Sequence, residues 1–322
     1  MDVKLQALAA TQDHVILRPQ LLAAGYTDDE IARLRRHSQL TAVRRGAYVE
    51  TRIWNGMDPA GRHRATARAV VMQLKVPAVP SHITAAVILG LPIWGVDLSV
   101  VHVTRTDLHS PRLEAGVMHH AAGLWDGDVC SVSGVVVTSP LRTALDVARS
   151  VPFEQGVVVA DGALRRVGND RKGLLEKWDV MRTWPGARGA GRVVAFADGG
   201  AESVGESRAR VQFDRIGLPA PRLQPVITGP NGEIFRADFL FEEEVTIGEF
   251  DGRSKYLGNL GPDDDPADVL WREKQREDIL RNLGFGVARL VWADLSRDAE
   301  VLARFSAAFR QAGRRRAARA LH

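Results

Sequence analysis

The chain has 322 residues, 45% of them hydrophobic and 25% charged, with a formal net charge of +4. That length exceeds one ordinary core and predicts two or three folded globular domains. A single cysteine, Cys130, excludes an internal disulfide and any multi-cysteine zinc site and fits a reducing compartment; no apolar run approaches the ~18 residues of a membrane span, and none follows Met1 as in a secretory signal, so a cytoplasmic protein with no membrane partner is expected.

The positive charge is mild, so its clustering matters more than its sum. Arg33, Arg35 and Arg36 lie close to Arg44 and Arg45, and Arg310, Arg314, Arg315, Arg316 and Arg319 gather near the end. Either group is a solvated helix face or a phosphate-binding surface.

Residues 1–55 read as one compact unit. An apolar helix from Pro19 to Ala24 is broken by Gly25, and Thr27 caps a second helix from Asp28 to about His37. Asp28, Asp29 and Glu30 sit in the positive first turn of that helix. Two short strands, Leu40 to Val43 and Ala47 to Val49, flank Arg44-Arg45-Gly46. Two helices joined by a glycine turn and followed by a basic hairpin predict a winged helix-turn-helix. Such units bind DNA or protein; the DNA reading gives Arg33, Arg35, Arg36, Arg44 and Arg45 to phosphates before base edges.

Residues 60–197 read as a mixed α/β domain. Ser81 reads as the cap of a helix from His82, and Val100 to Thr104 and Val132 to Thr138 read as strands. Ser139-Pro140 opens a helix through Ala148, and the glycine-rich stretch 188–200 closes the region. Six histidines fall here (His63, His82, His102, His109, His119 and His120). Their spacings match no ligand pattern with a physical mechanism, so no metal site is expected from them.

From Glu202 onward the predicted order is αβββαβα: a helix to Ile216, strands 223–228, 234–242 and 245–251, a helix 267–283, a strand 286–292 and a helix 296–311, with a basic tail over 313–322. Side chains alternate between the two faces of a strand. A two-residue turn at Glu243-Glu244 therefore sets Asp238 opposite Glu249 and Arg236 opposite Asp251. Facing carboxylates about 5 Å apart at Cβ repel unless neutralised. A hard cation such as Mg²⁺ neutralises them; the alternative is Arg236 with nearby lysines. Gln275 shares helical spacing with Trp271, Ile279 and Leu283, and would orient metal-bound water or be held in the core.

Two family resemblances attach to these motifs. LTAVRRGAYV at 40–49, SHITAAVILGLP at 81–92 and VVTSPLRTALDVAR at 136–149 resemble AbiEi-type antitoxins, which implies a transcriptional regulator with a cognate toxin or defence protein as partner. GESRARV at 205–211, RADFLF at 236–241, EFDG at 249–252 and the stretch 272–295 resemble the PD-(D/E)XK nuclease superfamily, closest to its Vsr-like endonucleases. That second resemblance implies Glu206, Asp238 and Glu249 as ligands of Mg²⁺ or Mn²⁺, which would polarise a scissile phosphate and activate water. The usual lysine is absent: Asp251 stands in its place, and Lys255 or Lys274 would have to supply the cation. The expected protein is thus an α/β multidomain DNA-binding protein. Its carboxy-terminal domain is a metal-dependent endonuclease in phage defence or repair, or else a catalytically inactive nuclease fold serving an antitoxin-type regulator.

Overall fold

The computed structural model describes residues 3–252 and 275–320, the last six as backbone only. The chain is a mixed α/β protein of two compact units, residues 1–196 and 197–322.

The first unit opens with α1 (Val3–Ala10), β1 (Ile16–Leu17), α2 (Arg18–Ala23), α3 (Asp28–Arg36), β2 (Leu40–Arg44) and β3 (Ala47–Glu50). Thr27 starts α3 as expected: its hydroxyl accepts the Glu30 N–H while the Glu30 carboxylate accepts the Thr27 N–H, a reciprocal capping box. The three strands form one antiparallel sheet in the order β1-β3-β2. Leu5, Ile16, Leu21, Ile31, Leu40 and Tyr48 fill the core between sheet and helices. Val15, Ala47 and Val49 pack onward against Ala65 and Ala69 of α5 (Pro59–Gln73), which follows the short α4 (Thr51–Gly56).

Beyond α5 come β4 (Val79–Pro80), α6 (His82–Leu89), β5 (Val101–Arg105), β6 (Arg112–Glu114) and β7 (Val117–Ala121). They build a four-stranded sheet in the order β4-β5-β7-β6, with β5 and β7 parallel. The expected strand at 132–138 is instead a hairpin, β8 (Val129–Val132) and β9 (Val135–Thr138). Ser133 and Gly134 both take positive φ at its turn, the backbone a tight two-residue hairpin needs. The predicted helix appears as α7 (Pro140–Ala148), followed by α8 (Phe153–Arg166) and α9 (Arg171–Val180). The glycine-rich closing stretch is mostly helical, as α10 (Ala187–Phe196). Ser139 and Ser81 precede their helices without capping them: Ser139 Oγ donates to the Gly127 carbonyl, and Ser81 Oγ meets a histidine nitrogen.

The second unit runs α11 (Val204–Arg215), β10 (Arg222–Leu223), β11 (Val226–Thr228), β12 (Ile234–Arg236), β13 (Phe239–Phe241), β14 (Thr246–Asp251), a helix α12 over 275–282 and β15 (Gly286–Val291). A 3-10 turn (Trp292–Ser296) leads to α13 (Asp298–Ala320), which takes in most of the expected basic tail. Its four-stranded sheet has the order β10-β13-β14-β15, antiparallel except for the β14–β15 pair. Strand alternation sorts its core onto two faces. Phe239, Phe241 and Phe250 meet Phe213 of α11 and Phe305 of α13 on one face, whereas Leu240 and Ile247 meet Leu280 of α12 on the other. Two strands expected to be continuous are each cut in two, because β11 and β12 leave to form their own ribbon. Arg236 accordingly pairs with Val226, not Asp251. No helix among the described residues is long and apolar enough to cross a membrane.

Candidate functional site

Three places bring chemistry-bearing side chains together. The first is the carboxylate face of the second unit. Phe239 pairs with Gly248 and Leu240 with Ile247; continued one step, this register sets Asp238 opposite Glu249, on the face covered by α12. The neutralising groups there are arginines. Arg276 Nη2 lies 2.8 Å from Glu249 Oε1, and Arg289 Nε lies 3.5 Å from Glu249 Oε2. Arg289 also reaches Glu277 at 3.2 Å. Asp238 Oδ2 accepts the Phe250 backbone N–H at 2.7 Å. Arg236, the expected counter-charge, instead bonds Glu202 at 2.7 Å.

Glu206 is buried at the start of α11 and serves that helix end. Its Oε1 accepts from Ser203 Oγ at 2.7 Å and its Oε2 from the Glu202 N–H at 2.8 Å and Gln224 Nε2 at 2.9 Å. Ser203 Oγ in turn accepts the Glu206 N–H, so three neighbouring donors already engage this carboxylate. Glu206, Asp238 and Glu249 do not form a cluster with ligand atoms all within 4.8 Å of one another among the described residues. Asp251 is half-buried on β14, beside Val291 of β15. Gln275 is exposed, correcting its expected place on an apolar face: the inward stripe of α12 starts at Arg276 and continues through Leu280. Lys255, Lys274 and Trp271 lie outside the described residues.

The second place is the basic end of the amino-terminal sheet. Arg33, Arg35, Arg36 and Arg45 are exposed and Arg44 is half-buried. Arg35 stacks over the Tyr48 ring at 5.9 Å, and Arg33 stands 3.9 Å from Glu30. The acidic start of α3 is partly spent: Asp28 is bound by Arg18 at 2.6 Å and Glu30 closes the capping box. β2 carries a register shift between Ala42 and Arg44 just before the turn.

The third place was not expected. His82, His102 and His120 each offer a ring nitrogen, and these atoms lie within 4.8 Å of one another. In the parallel β5–β7 register His102 faces Met118 and Thr104 faces His120, so the two histidines share a sheet face two positions apart. His82 begins α6 with φ of 51°, a left-handed conformation uncommon for a non-glycine residue. The His102 N–H donates to Thr84 Oγ1 at 2.8 Å and ties the sheet to α6. His102 Nδ1 stands 2.9 Å from His120 Nε2, and Ser81 Oγ 3.0 Å from His82 Nδ1. The His82 and His120 rings stack at 3.6 Å with a 15° tilt. Burial, reinforced for each by at least one neighbouring histidine, disfavours the charged forms. It holds His82 far below its ordinary range and lowers His102 to about 4 and His120 to about 3.

His82 and His120 border a cleft of about 570 Å³ that Arg149, Ser150, Trp184 and Gly186 also line. Behind it Arg142 is fully buried, bonded to Asp146 at 2.9 Å and Asp128 at 2.6 Å, with Trp184 stacked 5.0 Å from its guanidinium. Lys177 completes the group on Asp128 at 2.6 Å. Arg142 Nη2 and Arg149 Nε are buried without a hydrogen-bond partner among the described residues.

No family model matches the chain. It is similar to an uncharacterized protein of Mycobacterium tuberculosis, called MT2308 in strain CDC 1551 / Oshkosh and Rv2248 in strain ATCC 25618 / H37Rv. Each is 28% identical over 259 residues, spanning 80% of this chain and 90% of the relative. Among solved structures, the RV2827C protein from Mycobacterium tuberculosis aligns with a TM-score of 0.40 and 16% identity over 70% of this chain and 87% of that one. A likeness that low carries no functional argument.

Proposed function

We propose that the protein is a DNA-binding regulator whose carboxy-terminal unit keeps a nuclease-like strand order without a working metal site. The observation that carries the reading is the order α1-β1-α2-α3-β2-β3 closed by a β1-β3-β2 sheet. That order and the exposed arginines at the end of α3 and on the β2–β3 hairpin support a winged-helix reading. The acids at the start of α3 would repel the backbone if that end entered a groove first. Contacts through Arg35, Arg36, Arg44 and Arg45 would therefore be mainly to phosphate, giving affinity with modest sequence preference.

The inactive reading of the second unit is supported by the fate of its acids. Glu249 is bridged by two arginines, Glu206 is a helix cap, and Asp251 replaces the expected lysine. Mg²⁺ would have to displace Arg276 from Glu249 before it could bind there. The competing reading, a Mg²⁺- or Mn²⁺-dependent endonuclease, draws on one observation, the opposition of Asp238 and Glu249 across the hairpin.

Fluorescence anisotropy with labelled duplexes over a salt series tests the proposal. Binding should weaken steeply with salt, and glutamine at Arg35, Arg36, Arg44 and Arg45 should flatten the slope by about one unit per lost contact. Absence of duplex binding at low salt would move the unit to the protein-binding class. Supercoiled plasmid incubated with Mg²⁺, Mn²⁺ or EDTA should stay intact; metal-dependent nicking abolished by Asp238→Ala would restore the endonuclease reading.

A further inference from the structure

We propose that His82, His102 and His120 form a site for a zinc-class transition-metal ion whose open coordination position faces the cleft beside Arg149. Three imidazoles with an open fourth position are a recurrent zinc arrangement, and imidazole selects zinc, copper or nickel over magnesium. Three separate elements supply the donors, so the site exists only in the folded unit. It rests on residues 81–186 alone and stands or falls independently of the reading above.

The geometry favours an ion between His102 and His120. Their facing nitrogens are 2.9 Å apart and share a proton. Two ligands of a tetrahedral zinc at 2.0–2.1 Å stand about 3.3 Å apart, so an ion in the proton's place widens the pair slightly and bends it away from the line of the hydrogen bond. Ser81 holds His82 Nδ1 and leaves Nε2 to ligate, the kind of partner that fixes a metal-binding ring.

Two features shape how the ion binds. Lone pairs lie in the ring planes, and the planes of His82 and His120, stacked at 3.6 Å, do not converge on one point. One ring must turn on loading. His82 is buried and held by Ser81, so the turning ring is His120, which is less buried and borders the cleft. Arg142 and Arg149 add positive charge nearby, offset in part by Asp146, which bonds both. That surplus favours an anionic fourth ligand over water, and the Arg149 side chain lines the space where it would sit.

The test is equilibrium dialysis of the tag-free full chain against Zn²⁺ with a thousandfold excess of Mg²⁺, followed by metal analysis. One equivalent should bind. His102→Ala and His120→Ala should each weaken binding at least tenfold, while His109→Ala and Glu249→Ala leave it unchanged. Circular dichroism checks that the variants fold. If they do not, Co²⁺ added to the wild type replaces them, and should give the visible bands of a tetrahedral nitrogen-rich site. Histidine-selective NMR should show His82 losing its ring-current shift as the stack opens. Zinc bound equally by the folded variants, less than one equivalent in the wild type, or a Co²⁺ spectrum without tetrahedral bands would overturn the site.

Discussion

In the first unit, Arg142 is enclosed with Asp128 and Asp146 beneath two tryptophan rings, and three histidines converge, two of them on the cleft that Trp184 also lines. In the second, Glu249 shares Arg276 and Arg289 on a sheet face that solvent still reaches. The Arg142 group takes its ions fully out of water and must satisfy them internally; the Glu249 group keeps its two arginines within reach of solvent, where each pair contributes less. Carboxylates adjacent in a hairpin thus need not await a metal. Histidines scattered over 39 positions, from His82 to His120, can converge.

The largest expected effect breaks the buried side of this contrast. Arg142→Leu removes the fully buried partner of Asp128 and Asp146, leaving them only Lys177 and Arg149, and should cost about 3 kcal/mol. Arg276→Leu should cost about 1 kcal/mol, because its partner keeps Arg289 and water. Urea unfolding followed by tryptophan fluorescence measures both, and equal losses would erase the distinction between the units.

Acid sharpens the same comparison. Folding lowers His102 to about 4 and His120 to about 3 from an ordinary value near 6.5. Between those values the unfolded chain binds more protons, so stability is complete above about pH 6.5 and falls as the pH drops. By pH 5.5, one unit below the ordinary value, the loss should be about 1.4 kcal/mol for each of the two. Melting temperatures from pH 7.5 to 5 should decline, and His102→Gln should flatten the decline; a flat wild-type profile would contradict the burial of the cluster.

A smaller effect separates cap from ligand. Glu206→Ala should destabilise by about 1 kcal/mol, as loss of a helix-start acceptor does, with or without Mg²⁺. If Mg²⁺ raised the melting temperature of the wild type but not of this variant, Glu206 would be a ligand after all.

Local chemistry was the legible part of the sequence. Thr27 and Glu30 mark the start of α3, Ser139-Pro140 marks α7, and the Glu243-Glu244 turn fixes the Asp238–Glu249 register, because each depends on residues a few positions apart. What escaped depends on distant pairing. The valine-rich run around Ser133-Gly134 looks like one strand, since valine dominates on both sides of the turn. Strand 234–242 breaks where β12 leaves to pair with β11, a partner choice no alternation pattern encodes. The histidine cluster needs the parallel β5–β7 register and the positive φ of His82. Its one visible trace is a histidine at 102 and another at 120, in two short apolar strands. Arg276 as the partner of Glu249 was hidden for the same reason, lying 27 positions away on a helix that crosses the sheet.

The register shift in β2 matters for more than where its arginines point. In the β1-β3-β2 sheet β2 is an outer strand, and an outer strand of unpaired backbone groups can recruit a second chain. A kink at Ala42–Arg44, followed by two adjacent cations, interrupts that template and makes stacking of copies costly. β1, the opposite border, is only two residues long. The hairpin that would touch phosphate is thereby also the part of the domain that resists forming fibrils.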